Sequence, residues 1–423
     1  MEISTLVQFL FLLLSALSIG GAVFFRRRID IFSPMFIFPL AYMFYLGLGS
    51  LPVLQDSYTI SSGQWMFYLA GLFGFTAGAS LPLLMSTRSS PAALPVRPAS
   101  WNACRLLTAS LVLMGMAVAA RIFIYSRTGI PLFTSDPNRI RMAAFNFGAV
   151  SEISISSEIV FMTAFAGLLL FRKYRLAFLG LLVLGLVLAI FTGTRTSLVR
   201  QIFPCLILYH YSVRRISLRT LGIVLLISLI FVGMIKFIGF NRLWGEAEIN
   251  SLRASNYRPV TFWVPYVLRD FKHGPEGFAR VIQVIPERHD WQHGRLHILP
   301  LLMPLPGNQP QPGVVFKRMV GADFVGVGMA ATILAPLYAD FGPAGIIIGM
   351  FLVGFFFQHL YQVAQRRRHP ALYLAYGAVF ITLILGIRTN YLNFEIIWTL
   401  ILLGIMHLVI RNTRHGEKRD AGC

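Results

Sequence analysis

Residues 274–297 read GPEGFARVIQVIPERHDWQHGRLH. They are the centre of a long polar segment, about 240–328, in a chain otherwise dominated by apolar runs. Four of the nine histidines fall in it: His273, His289, His293 and His297. Apolar side chains at Phe278, Val281, Ile282 and Ile285 alternate with Glu276, Arg280 and Gln283, the pattern of a short amphipathic helix over 276–285. Trp244, Trp263 and Tyr266 belong at headgroup level, so the segment is expected to form helices lying on a membrane surface. The run from Leu299 to Gly307 carries too many prolines to span a bilayer. Residues 326–340 are apolar but contain Pro336, and read as a re-entrant or surface helix.

Outward from this segment the chain reads as membrane-embedded. Of its 423 residues 56% are hydrophobic and 13% are charged, against about 25% charged in soluble domains. A spanning helix needs roughly 20 mostly apolar residues, and about eleven such runs are present. They lie near 5–25, 32–53, 64–85, 105–124, 157–171, 176–192, 197–213, 219–239, 342–363, 370–387 and 392–410. The first is not a signal peptide, because Arg26, Arg27 and Arg28 follow the apolar run instead of preceding it. The expected fold is all-α and polytopic, in three parts. Residues 1–239 hold spans one to eight, 240–341 form the long loop, and 342–423 hold spans nine to eleven and a tail.

The formal charge of +20 is a topology signal. Alternate connections carry Arg26–Arg28; Arg88, Arg97 and Arg105; Arg172, Lys173 and Arg175; Arg214, Arg215 and Arg219; Arg366–Arg368; and Arg411, Arg414, Lys418 and Arg419. These six clusters hold about half of the 37 basic residues. The positive-inside rule puts them in the cytoplasm, with the N-terminus outside and the C-terminus inside. Separate short loops are not the contiguous patch that nucleic acid requires. Cys104, Cys205 and Cys423 have no metal-ligand spacing.

Four constellations on the opposite face carry chemistry. Gly193-Thr194-Arg195-Thr196-Ser197, with Arg200 a turn later, offers two guanidinium forks and a helix start to phosphate oxygens; the plainer alternative is that both arginines snorkel to headgroups. Gly129–Phe133 followed by Arg139 and Arg141 adds two cations, or is an ordinary turn with a solvated charge run. Glu287, His289, Asp290 and His293 supply candidate general bases, with Arg295 beside them. His289, His293 and His297 would share one face of a helix, a spacing also seen in metal stripes, but Gly294 weakens that helix and no metal is expected. Arg388 and Glu395 form a further wall, or simply neutralise one another.

Several motifs then converge. Beside the many-helix plan and the late long loop stand Gly129–Phe133 with Arg139, the turn Thr192–Leu198, and Gly326-Val327-Gly328 followed by Tyr338-Ala339-Asp340-Phe341-Gly342-Pro343-Ala344-Gly345-Ile346. In these the chain resembles the Wzy-type oligosaccharide repeat-unit (O-antigen) polymerases. The resemblance implies a glycosyltransferase of the bacterial inner membrane whose site faces the periplasm. Donor and acceptor would both be polyprenyl-diphosphate-linked oligosaccharides, with no cofactor or metal, and a chain-length regulator is a candidate partner. Arg139, Arg141, Arg195, Arg200 and Arg295 would hold the diphosphate. His293, or else His289, Asp290 or Glu287, would take the acceptor proton. An O-antigen ligase or other lipid-linked glycosyltransferase fits the same plan. A transporter would instead need a polar path with a midplane site.

Overall fold

The computed structural model describes residues 13–17, 19, 30–49, 61–85, 101–134, 140, 143–144, 147–192, 194–217, 219–220, 222, 263–303, 305, 310–322, 328–389 and 394–411. The expected first span, apart from 13–17 and 19, and nearly all of the expected eighth span at 219–239 lie outside these residues. Among the described residues the longer elements are α-helices: α1 (Pro34–Gly49), α2 (Ser62–Met85), α3 (Ala103–Thr128), α4 (Ala149–Leu170), α5 (Arg175–Phe191), α6 (Arg195–Ser212), α7 (Trp263–Val284), α8 (Arg295–Leu302), α9 (Pro312–Met319), α10 (Leu334–Arg367), α11 (Pro370–Gly386) and α12 (Phe394–Ile410).

Among the described residues four segments are long and apolar enough to cross a membrane: Ser62–Met85, Ala103–Phe133, Ala149–Leu170 and Leu334–Arg367. Pro34–Leu46, Arg175–Phe191, Pro370–Gly386 and Glu395–Ile410 are shorter apolar helices. Leu176, Leu179, Val183, Ile190, Leu352, Phe356, Leu408 and Val409 are exposed. Apolar stripes of that size match a lipid solvent.

α10 is not one straight rod. Gly342 has φ 68° and ψ −161°, a conformation essentially reserved for glycine, and Pro343 starts a new helical run after it. The short arm, 334–341, folds back along the long arm: an added Cβ on Gly345 would lie 2.5 Å from the Leu337 carbonyl oxygen. The break thus falls at Gly342 and not at Pro336. Pro336 is the third residue of the helix, where a missing N–H costs nothing because first-turn donors have no intrahelical partner.

The long arm packs against α2 backbone to backbone. A Cβ on Gly74 would sit 2.5 Å from the Ile347 carbonyl oxygen, one on Gly78 1.9 Å from that of Phe351, and one on Gly354 2.2 Å from that of Phe75. Small residues in apolar helices allow this approach, and dispersion then replaces the hydrophobic effect as the source of cohesion.

Polar contacts sort the helix ends into two sets. At one end Asp30 accepts hydrogen bonds from Tyr211 at 2.8 and 3.1 Å and from Tyr361. Tyr376 donates to the Phe32 carbonyl, and Tyr211 stacks on Tyr373. Arg105 reaches the Arg411 carbonyl at 3.3 Å, and Trp101 Nε1 donates to His407 Nδ1 at 3.3 Å. The described Arg clusters at 172–175, 214–219 and 366–368 are at the helix ends of this set. At the other end α7, α8 and α9 cap α1, α2 and α10. Gln64 donates to the Pro275 carbonyl at 2.7 Å, and Gly274 and Gly277 let α7 touch the backbone of Arg388 and Ala330. α7 starts earlier than the 276–285 helix read from sequence, and Phe271 in the added part packs against Tyr45 of α1.

Gly78→Ala is expected to destabilise the bundle by about 1–3 kcal/mol through overpacking, read as a fall in thermal midpoint in detergent. Gly115→Ala, whose methyl meets nothing within 4 Å, is the neutral control. At the Arg-rich end the His369 ring accepts the Ala371 N–H at 3.2 Å as the N-cap of α11. Burial, then His407 and Arg411, hold its pKa down from 6.5 to about 4. The unfolded chain therefore binds more protons between these values. Stability is fully present above pH 6.5 and falls as pH drops toward 4, and His369→Asn should flatten that slope in a thermal-melt series.

Candidate functional site

Two charged clusters lie at the end opposite the Arg-rich one. The first begins with a threonine turn. The Thr192 hydroxyl donates to the Ala189 carbonyl at 2.6 Å and accepts the Thr194 N–H at 3.2 Å, closing α5 and launching α6 at Arg195. One turn in, Ser197 Oγ donates to Glu158 Oε1 on α4 at 2.6 Å, with both residues buried. Arg200, on the next turn, pairs with Glu395 at the start of α12; their side chains are 23% and 15% exposed. Glu158, Thr196, Arg200, Thr389, Glu395 and Thr399 line a small open cleft. Glu152 is buried on α4 within electrostatic reach of Arg200 and Glu158, and its Oε2 has no hydrogen-bond partner among the described residues. The described charges that line the cleft are two carboxylates, Glu158 and Glu395, and one guanidinium, Arg200. A group that takes Arg200 away from Glu395 would release a carboxylate beside a buried Ser–Glu pair.

The second cluster is built on Asp340 at the tip of the α10 hairpin. Its side chain is fully buried. Oδ2 receives His297 Nδ1 at 2.5 Å and the His297 N–H at 3.3 Å, and Oδ1 receives the Leu296 N–H at 3.2 Å. A carboxylate that accepts two backbone donors at a helix start also complements the N-terminal dipole of α8. The loop above is tied to the same turn: the Gln292 N–H bonds the Ala339 carbonyl at 2.9 Å, and the His293 N–H bonds that of Asp340 at 3.2 Å. Trp291 packs edge-on against Tyr338, whose hydroxyl donates to the Ile285 carbonyl at 3.2 Å.

The sequence model of the family described as "Putative O-antigen polymerase" matches residues 30–268 and 276–401, most of the chain. The chain belongs to the O-antigen polymerase family. Neither a curated protein nor a solved structure matches it. Membership implies a membrane enzyme of glycosyltransferase type acting on lipid-linked oligosaccharides. Both clusters described above fall within the matched residues.

Against this family background the residues singled out from sequence divide. Arg200 and Glu395 meet at the cleft. Arg388 adjoins it through Thr389, and its carbonyl accepts the Thr332 N–H at 3.3 Å. Arg195 is the first residue of α6, but its side chain lies outside the described residues, as do Arg139 and Arg141. Arg295 is exposed at the first position of α8. Glu287, Asp290 and His293 are exposed on the loop, while His289 is half-buried with Nε2 donating to the Met319 carbonyl at 2.9 Å. The three-histidine helix face does not form. His293 (φ 49°) and Gly294 (φ 87°) are left-handed, so the chain turns before α8 begins and His297 is directed to Asp340 instead. Sequence reasoning missed Glu158 and Glu152, the pairing of Ser197 with Glu158, and the pairing of His297 with Asp340. The signal for Asp340 was present in the Tyr338–Gly342 motif; the signal for Glu158 was a lone carboxylate inside an apolar run.

Asp340→Ala removes a charged acceptor from three hydrogen bonds, and bonds to charged groups contribute about 1.5–3 kcal/mol each. The 285–297 loop should then be cut faster in limited proteolysis, and Asp340→Asn should show an intermediate rate. An unchanged rate in both would mean that Asp340 does not hold the loop.

Proposed function

We propose that this protein extends a polysaccharide by joining polyprenyl-diphosphate-linked repeat units on the periplasmic face of a bacterial inner membrane, with its N-terminus outside and its C-terminus inside. The observation that carries the reading is the Arg200–Glu395 pair at the mouth of a cleft that also holds the Ser197–Glu158 contact. The cleft is at the end of the bundle opposite the Arg clusters, which agrees with the positive-inside assignment.

In the proposed reaction a hydroxyl oxygen of one lipid-linked unit attacks the anomeric carbon of the growing chain. The bond from that carbon to the diphosphate oxygen breaks, and polyprenyl diphosphate leaves with the electron pair. Arg200 exchanges Glu395 for the diphosphate, whose growing charge it stabilises by a preorganised bidentate contact. Arg195, Arg139 and Arg141 supply further cations from the neighbouring turns, and Arg295 and Arg388 form the rim. Glu395, released from its pair, accepts the hydroxyl proton. The loop groups His293, His289, Asp290 and Glu287 form the alternative set of bases. Apolar grooves between helices take the polyprenyl tails, and a chain-length regulator would act on the same complex.

Arg200→Ala should collapse the ladder of polymer lengths to single repeat units on the surface lipid, with the protein still present in the membrane. Arg200→Lys should impair extension too, because it loses the fork. Glu395→Gln should lower turnover by about 100-fold, the lower range for a general base. Long polymer made by Arg200→Ala would sink the diphosphate role.

A further inference from the structure

Arg121 is a buried cation that the proposed reaction leaves unused. It lies on α3 at 5% exposure, and its four hydrogen bonds reach two other helices. Nε donates to the Ser154 carbonyl of α4 at 3.3 Å, and Nη2 to Ser157 Oγ at 3.3 Å. Nη1 donates to the Leu188 carbonyl of α5 at 3.1 Å and to Tyr125 Oη at 3.1 Å. All four acceptors are neutral. A charge in this position is costly, and a neutral side chain would hold helices together at lower cost. What distinguishes arginine is a planar fork that serves several acceptors in fixed directions at once.

Those directions lead to the cleft. Ser157 immediately precedes Glu158. Leu188 contributes one of the last carbonyls of α5, and the Thr192 N–H bonds Ala189 instead. Arg121 therefore caps the C-terminal end of α5, where a cation complements the helix dipole. The next residues form the Thr192–Thr194 turn that sets where α6 begins. We infer that Arg121 is a positioning residue for chain extension: it staples α4 just before Glu158 to the end of α5 just before the turn into Arg195, and so sets the register of Ser197 and Arg200 against Glu158. The inference rests on the reading of the Arg200–Glu395 cleft as the reaction site. A misplacement of about 1 Å at such a site can cost about 100-fold in rate.

The test compares Arg121→Gln and Arg121→Lys with the unaltered protein, purified in detergent and supplied with lipid-linked repeat units. Folded protein is counted by size-exclusion profile and thermal midpoint. Both variants should lose about tenfold or more in kcat per folded molecule, with KM changed by less than about threefold, because Gln cannot span both helices and Lys has no fork. A residue that only stabilises the bundle would lower the folded amount and leave kcat per folded molecule unchanged; that result overturns the inference. If neither variant folds, Tyr125→Phe combined with Ser157→Ala removes two of the four acceptors and keeps the charge. It should lower kcat several-fold, and an unchanged kcat overturns the inference equally. If the unaltered protein does not extend these substrates, the proposed function fails and not the role of Arg121 alone.

Discussion

The close approach of α2 and the long arm of α10 is the contact on which the other arrangements hang. Gly74, Gly78 and Gly354 bring each backbone against the carbonyls of the other helix. In an apolar solvent there is little to gain from hiding a leucine from lipid, so cohesion must come from dispersion at short range and from polar contacts. With α10 held in this way, its two ends are placed without further choice. One presents Asp340 to the loop, and the other presents Tyr361 to Asp30.

The polar contacts then divide the work. At the Arg-rich end, Asp30, its tyrosines and the Trp101–His407 contact join helix termini that are far apart in sequence. At the opposite end Asp340 takes His297 and two backbone donors, Glu158 takes Ser197, the part-exposed Glu395 takes Arg200, and buried Glu152 lies within electrostatic reach of Arg200. An uncompensated charge is most expensive in such surroundings, so each pair also constrains the helices that bring it together. The Arg200–Glu395 pair differs in being part-exposed at a cleft, where a ligand anion can compete for the guanidinium.

The helices were legible because lipid imposes a simple rule on sequence: long apolar runs, interrupted by short basic loops. The polar loop at about 240–328 was legible as an interruption, and the capping helices among its described residues only in part. α7 runs longer than its amphipathic core, and Phe271 in the extension finds Phe44 and Tyr45 of α1. The histidine periodicity makes no helix face because two successive left-handed residues, His293 and Gly294, turn the chain between the second and third histidine. Positive φ at a non-glycine residue is an outcome of tertiary contacts, here the backbone bonds of Gln292 and His293 to the α10 tip, and local propensity does not forecast it.

Sequence alone determined the all-helical class, the alternation of basic connections, the division by one long polar loop, and the motifs that mark the polymerase family. These depend on composition and spacing along the chain, which the solvent reads locally. The tertiary structure decided which charges meet. Arg200 and Glu395 are far apart in sequence, as are Ser197 and Glu158, and Arg121 and Leu188. No periodicity links such pairs. They are neighbours because of how these helices stack, with Gly377 of α11 against Pro204 of α6 and Gly167 of α4 against Phe178 of α5, and because a charge inside that stack costs least where a partner stands.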